Sequence, residues 1–269
     1  MLHEIHNTED RSVLVAGIMD GHGGTAASTM VAEQLPNILN TELVTNRLGV
    51  TEALEHAWGQ ACDAYRQQCN AGGGEECRAD YNPASGFLMA NTGSNDLIAG
   101  TTASIMALDE HTGKLTLLNC GDSRCVLVNK MGKVQFATRD HKPQEEEKRF
   151  KKGKDDGLDY SLPQCSVSRW SISVGDYAYS VSRSLEGPFA TSKGIISDPD
   201  VTTVQVEADM IMVSASDGLW DVMDSSEVAM DLFEMRQKKT SARDSAKTLC
   251  NMAWNKGTSD NISAVVVYL

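Results

Sequence analysis

The sequence holds seven cysteines, but no two are spaced Cys-x-x-Cys. Cys62, Cys69, Cys77, Cys120, Cys125, Cys165 and Cys250 are odd in number and irregularly placed, which argues against a zinc site and against a disulfide framework. None opens a Cys-x₅-Arg phosphate loop, so a thiol nucleophile is set aside and the cysteines are read as packing residues. Long apolar runs are missing too. No stretch approaches the roughly 18 consecutive apolar residues of a membrane helix, and residues 1–10 lack the basic and apolar regions of a secretory signal. Basic residues are scarce: 24 Lys and Arg stand against 37 Asp and Glu, a formal net charge of −13 that repels a phosphate backbone. The expectation is a soluble monomer with neither nucleic acid nor membrane as partner, in a reducing compartment. Cytoplasm or nucleus fits, with organellar targeting left open.

What is present is enough apolar material for a full core. With 41% hydrophobic residues, the 269-residue chain reads as one domain, 1–269, carrying insertions. Residues 1–11 are polar, and a short β-branched run predicts a buried strand over 13–19. Helices are expected over 25–35 and 51–68, the second with Thr51 as N-cap. A Gly-, Asn- and Ser-rich stretch, 70–98, reads as a surface insertion. Strands follow over 102–108, 115–119, 124–128 and 134–137, separated by hairpin turn signals. Pro143 starts a short charged helix, and 151–159 reads as a charged loop. The last third predicts strands over 201–206, 210–216 and 262–268 and helices over 225–237 and 241–256. The sum is an α+β sandwich of mostly antiparallel strands flanked by helices.

Three aspartate clusters sit beside the apolar strands: Asp20-Gly-His-Gly-Gly24, Asp217-Gly-Leu-Trp-Asp221 and Asp260-Asn261. Hard carboxylates brought from strand ends to one place suit Mg²⁺ or Mn²⁺. Asp217 and Asp221, four apart, share a face if the chain coils after Ser216, and a divalent cation offsets their repulsion. His22 titrates near neutrality and can protonate a leaving oxygen. Each residue also has a local reading: Asp20 and His22 as turn residues, Asp122 as a hairpin turn, Asp221 and Asp260 as caps. The spacing around Asp217 lacks the alternating ligands of an EF-hand loop, which sets calcium aside.

Taken in order, Met19-Asp-Gly-His-Gly-Gly24, Gly100-Thr-Thr-Ala-Ser104, Asn119-Cys-Gly-Asp-Ser-Arg124, Asp140-His-Lys-Pro143, Val181-Ser-Arg183, Ser216-Asp-Gly-Leu-Trp-Asp-Val-Met223 and Ser259-Asp-Asn-Ile-Ser263 resemble the metal-dependent type 2C serine/threonine protein phosphatases. The resemblance implies a four-layer α-β-β-α sandwich around a central antiparallel β-sandwich. It implies two Mg²⁺ or Mn²⁺ ions, with Asp20 bridging both, the Gly21 carbonyl on one, and Asp217 and Asp260 on the other. Asp122, Asp217 and Asp221 would form a weaker third site, and His22 would be the general acid. Phosphorylated proteins would be the substrates.

Two departures stand out. The resemblance calls for an earlier strand with a phosphate-binding Arg and a metal-ligating Glu, neither of which residues 1–19 offer, so the domain is expected to lack its first strand. The family's Gly-Asp ending is replaced in Ser182-Arg-Ser-Leu-Glu-Gly187, and the flap-like region 144–180 is unusual. The alternative reading is therefore a pseudophosphatase, a binding module with an incomplete metal site.

Overall fold

The computed structural model describes residues 2–7, 11–71, 79–82, 87–90, 99–157, 162–166, 169–174 and 177–269. Two antiparallel sheets lie face to face at its centre. The first is built from β1 (Leu2–Asn7), β2 (Arg11–Ile18), β7 (Ala103–Asp109), β8 (Lys114–Cys120) and β14 (Asp200–Gln205), in that spatial order. The second holds β10 (Val134–Ala137), β9 (Arg124–Val128), β15 (Ile211–Ala215) and β16 (Ala264–Tyr268). Short hairpin elements account for the rest: β3 (Gly21–His22) with β6 (Gly100–Thr101), β4 (Ala79–Asn82) with β5 (Phe87–Ala90), and β11 (Gln164–Ser166), β12 (Arg169–Val174) and β13 (Tyr177–Tyr179).

Side-chain alternation along the strands creates three apolar layers. On β2, Val13 and Val15 face outward to the helices, while Leu14 and Ala16 face the other sheet. The same division holds for Ile105 and Met106 on β7, Leu118 and Leu117 on β8, Val126 and Leu127 on β9, and Val213 and Met212 on β15. Strands covered on both faces read as continuous apolar runs, which is why 13–19 and 210–216 were legible. Helices α1 (Ala26–Asn40) and α2 (Val50–Ala71) cover the first sheet through Val31, Leu35, Leu54 and Trp58. Helices α6 (Ser225–Gln237) and α7 (Ala242–Asn255) cover the second through Val228, Leu232 and Leu249. Each such buried aliphatic side chain contributes about 1.5–3 kcal/mol. The four-layer α-β-β-α sandwich is therefore the observed architecture.

Several local expectations are corrected. Residues 2–7, which read only as polar, form β1, because pairing with β2 from Leu2↔Ala16 to Asn7↔Arg11 satisfies the backbone regardless of composition. Helix α1 runs past the expected end at residue 35, through Pro36 and into a π-helical turn, Thr41–Thr45. Thr51 is no N-cap but lies inside α2, with its hydroxyl 3.0 Å from that of Thr116 and 3.1 Å from that of Thr203. The segment expected to loop from residue 151 is helical: after the 3₁₀ turn Pro143–Glu146, α3 (Glu147–Asp155) continues because Phe150 and Gly153 are buried. Cys62, Cys69, Cys120 and Cys125 are buried free thiols, while Cys165 is exposed and Cys250 half-buried. Among the described residues there are also two short helices, α4 (Pro188–Ser192) and α5 (Asp217–Trp220). Most of 70–98 lies outside the described residues.

Candidate metal and phosphoryl-transfer site

The three aspartate clusters meet at one end of the β-sandwich. Asp20 leaves β2 and is fixed by the Gly100-Thr-Thr segment: its N–H donates to Thr102 Oγ1 at 3.3 Å, and its carbonyl accepts from Thr102 N–H at 2.9 Å and Thr101 Oγ1 at 3.1 Å. The Thr102 hydroxyl also meets Ser123 Oγ at 2.8 Å, tying this turn to the β8–β9 turn that carries Asp122. On the other sheet, β15 ends at Ala215, and from Ser216 the chain coils into α5. The Asp221 N–H donates to the Asp217 carbonyl at 2.8 Å, so both carboxylates emerge from one helical turn, as their spacing predicts.

Asp260 reaches this turn by way of Ser216. Ser216 Oγ donates to the Asn261 carbonyl at 3.2 Å and accepts from Ser263 N–H at 3.1 Å. Gly218 makes the approach feasible, because a Cβ there would run into the Asn261 carbonyl and lie 3.5 Å from Asp260 Cβ. Asp221 is not the cap of the following helix. That role belongs to Asp224, whose Oδ1 accepts from the N–H groups of Ser226 and Glu227 at 2.8 and 2.9 Å.

Electrostatics join what topology collects. The Asp20 carboxyl is pushed up to about 7, first by burial and then by Asp217, Asp260 and Asp122. Asp122, 4% exposed, is pushed to about 7 by burial and by Asp217, Asp140 and Asp221, against the opposing pull of Lys142. Asp217 is raised by burial and by Asp260 and Asp221, and its Oδ1 is buried with no hydrogen-bond partner. Hard, mutually repelling, partly unpartnered oxygens are the donor set that suits a Mg²⁺-like cation. Asp260 and Asp221 are the exposed members. Among the described residues, no three Asp, Glu, His or Cys side chains already converge on one point tightly enough to be a finished ligand cage.

Sequence reading missed two neighbours. Lys142 places its ammonium 3.3 Å from Asp221 Oδ1 and 3.9 Å from Asp140 Oδ2, in the corner assigned to the third cation. Arg124 grips Asp140 through two hydrogen bonds, 2.8 and 2.7 Å, and lies over the Trp220 ring at 5.1 Å. An open cavity of about 500 Å³ runs from here, lined by Arg124, Arg139, Asp140, Lys142, Gln144 and Ser225. The second neighbour is Glu186, whose Oε1 pairs with His22 Nε2. The sequence flagged Glu186 only as a departure from a pattern; a separation of 164 residues hides the pairing.

A model of the family "Protein phosphatase 2C" matches residues 2–262. The chain belongs to that family. Among its relatives are probable protein phosphatase 2C 32 of Oryza sativa subsp. japonica, 28% identical over 97% of this chain and 59% of its own length, and probable protein phosphatase 2C 69 of Arabidopsis thaliana, 29% identical over 93% and 60%. Protein phosphatase 1B of Homo sapiens is 31% identical over 64% of this chain and 35% of its own length. The chain thus spans about 60% or less of these curated relatives. The serine-threonine phosphatase 2C from Toxoplasma gondii superposes with a TM-score of 0.70 at 21% identity, covering 97% of this chain and 86% of that one. A C. elegans sex determining protein gives 0.74 at 18% identity, covering 99% and 60%. At these identities the superpositions speak to the phosphatase 2C fold.

Proposed function

We propose that this phosphatase 2C domain hydrolyses phosphoserine or phosphothreonine on proteins, with two Mg²⁺ or Mn²⁺ ions. The observation that carries the reading is the convergence of Asp20, Asp122 and Asp217 at one sheet end, each raised by burial and by its neighbours' charge, with a buried Asp217 oxygen left unpartnered. Asp20, Asp217 and Asp260, with the Gly21 carbonyl, would hold the pair of ions, and Asp122 and Asp221 a weaker third. Ions of this kind polarise phosphoryl oxygens and make an attacking water acidic near neutral pH.

The chain's own groups do the remaining work. His22, one-third exposed beside these carboxylates, gives its proton to the departing Ser or Thr oxygen. Lys142 keeps Asp221 partly neutralised at the rim. Arg124, locked on Asp140, anchors the turn that carries Asp122. Calorimetric titration with Mn²⁺ tests the binding half of the proposal: two resolved sites are expected, lost in Asp217→Asn. No heat above dilution would favour the binding-module alternative.

A further inference from the structure

The ring of His22 is held from three sides, and one of the holders is a carboxylate. β3 pairs with β6 so that His22 lies opposite Gly100. A Cβ on Gly100 would collide with His22 Nε2 and with both carboxylate oxygens of Glu186, so glycine is required for ring and carboxylate to meet over that backbone. Glu186 is 1% exposed on its side chain, and its Oε1 accepts from Ser184 Oγ at 2.6 Å besides pairing with His22 Nε2. The Tyr179 ring stands edge-on to the imidazole, 5.7 Å between centroids and 85° between planes. Ser184, Leu185 and Glu186 are themselves pinned: Ser184 N–H donates to the Ile196 carbonyl at 2.9 Å, and Leu185 exchanges backbone hydrogen bonds with Thr101 at 2.9 and 3.0 Å.

From this geometry we infer that Glu186 is a positioning residue for His22, fixing the imidazole orientation by holding the Nε2 proton so that Nδ1 is the nitrogen that serves the leaving group. A buried carboxylate on one ring nitrogen sets the tautomer and aims the other, as second partners of functional histidines commonly do. The inference rests on the phosphatase reading for its catalytic consequence. In the step itself, the oxygen of the attacking water bonds to phosphorus as the P–O bond to the serine or threonine oxygen breaks, and that departing oxygen takes the Nδ1 proton of the doubly protonated ring. The imidazole is left neutral, its Nε2–H still hydrogen-bonded to Glu186. The same arrangement disfavours rotation of the ring, since Gly100 backbone and Tyr179 close the flanks.

The test uses the full chain with Glu186→Ala, Glu186→Gln and Glu186→Asp. Against a phosphothreonine peptide with Mn²⁺, Glu186→Ala and Glu186→Gln should lose about 10–100-fold in kcat with KM within about twofold, and Glu186→Asp should recover part of the loss. Against p-nitrophenyl phosphate, whose leaving group needs little protonation, the loss should be under about threefold. Equal losses on both substrates, or none, would overturn the positioning role. An activity-independent arm reads ¹⁵N-labelled histidine by NMR, with His22→Asn giving the assignment. A low-field Nε2–H resonance of His22 in the wild type, absent from Glu186→Ala, supports the pair; an unchanged His22 spectrum in Glu186→Ala defeats it. Inactivity of the wild type on both substrates would count against the phosphatase reading alone, and the NMR arm would still decide the pair.

Discussion

Asp20, Asp122 and Asp217 are carboxylates placed where a carboxylate is costly. Burial and like charge raise all three above the ordinary value near 3.8. In the metal-free protein the sign follows directly. For Asp20 and Asp122 a raised folded pKa means the folded state binds protons the unfolded chain has released, so their contribution to stability is greatest below about pH 4, falls between about 4 and 7 and levels off above. Asp122→Asn should therefore raise the melting temperature of the metal-free protein at pH 8. With allowance for screening and coupling the gain is about 1 kcal/mol, or about 2–4 °C. No gain at pH 8 relative to pH 5 would contradict the coupling. The same residues show what is readable in a chain of letters. That Asp20, Asp217 and Asp260 come together is legible because each sits in a short contiguous motif beside an apolar run. Glu186 and Lys142 were not, because their roles depend on partners 164 and 79 residues away.

At the scale of elements, the region after β10 is tied down by one buried carboxylate. Glu146, 6% exposed, accepts from Arg149 Nε at 2.7 Å and Arg183 Nε at 2.6 Å. Arg183 goes on to Asp200 Oδ1 at 3.0 Å, and Arg149 to the carbonyls of Gly194 and Ser182 at 2.8 and 2.9 Å. This knot joins α3 to β14 and, through Ser182, to the segment bearing Glu186. Removing one partner of a buried ion pair typically costs about 3–5 kcal/mol. Glu146→Ala should fall in that range by chemical denaturation, and residues 147–157 should become readily cleaved by protease. Unaltered cleavage would mean the knot does not hold α3. The sequence marks the short charged helix that opens at Pro143 but not its continuation past residue 150, since alternating Lys and Asp after it give no clue that Phe150 and Gly153 turn inward. The strand β1 was missed for the opposite reason: an edge strand is specified by its neighbour's backbone more than by its own side chains.

On the scale of the whole molecule, Asp20 follows a strand of the first sheet, Asp217 and Asp260 flank strands of the second, and Asp122 lies on the β8–β9 turn that joins the two, so these carboxylates meet only when the sheets pack. The apolar layer between them, with Met106, Leu117, Leu127 and Met212 each about 1% exposed, is consequently a condition of function as well as of folding. Leu117→Ala should cost about 2–5 kcal/mol and weaken Mn²⁺ binding in calorimetry, although Leu117 belongs to no ligand. Destabilisation with unchanged affinity would show the site to be independent of sheet packing. We propose that these converging carboxylates run cation-dependent phosphate release. The most direct test is phosphate release from a phosphothreonine peptide, titrated with Mn²⁺, by the wild type and by Asp217→Asn, with folding of both checked by circular dichroism. Release that rises with Mn²⁺ in the wild type and drops by at least about 100-fold in the variant is the predicted result; release that ignores Mn²⁺, or that survives in folded Asp217→Asn, would contradict it.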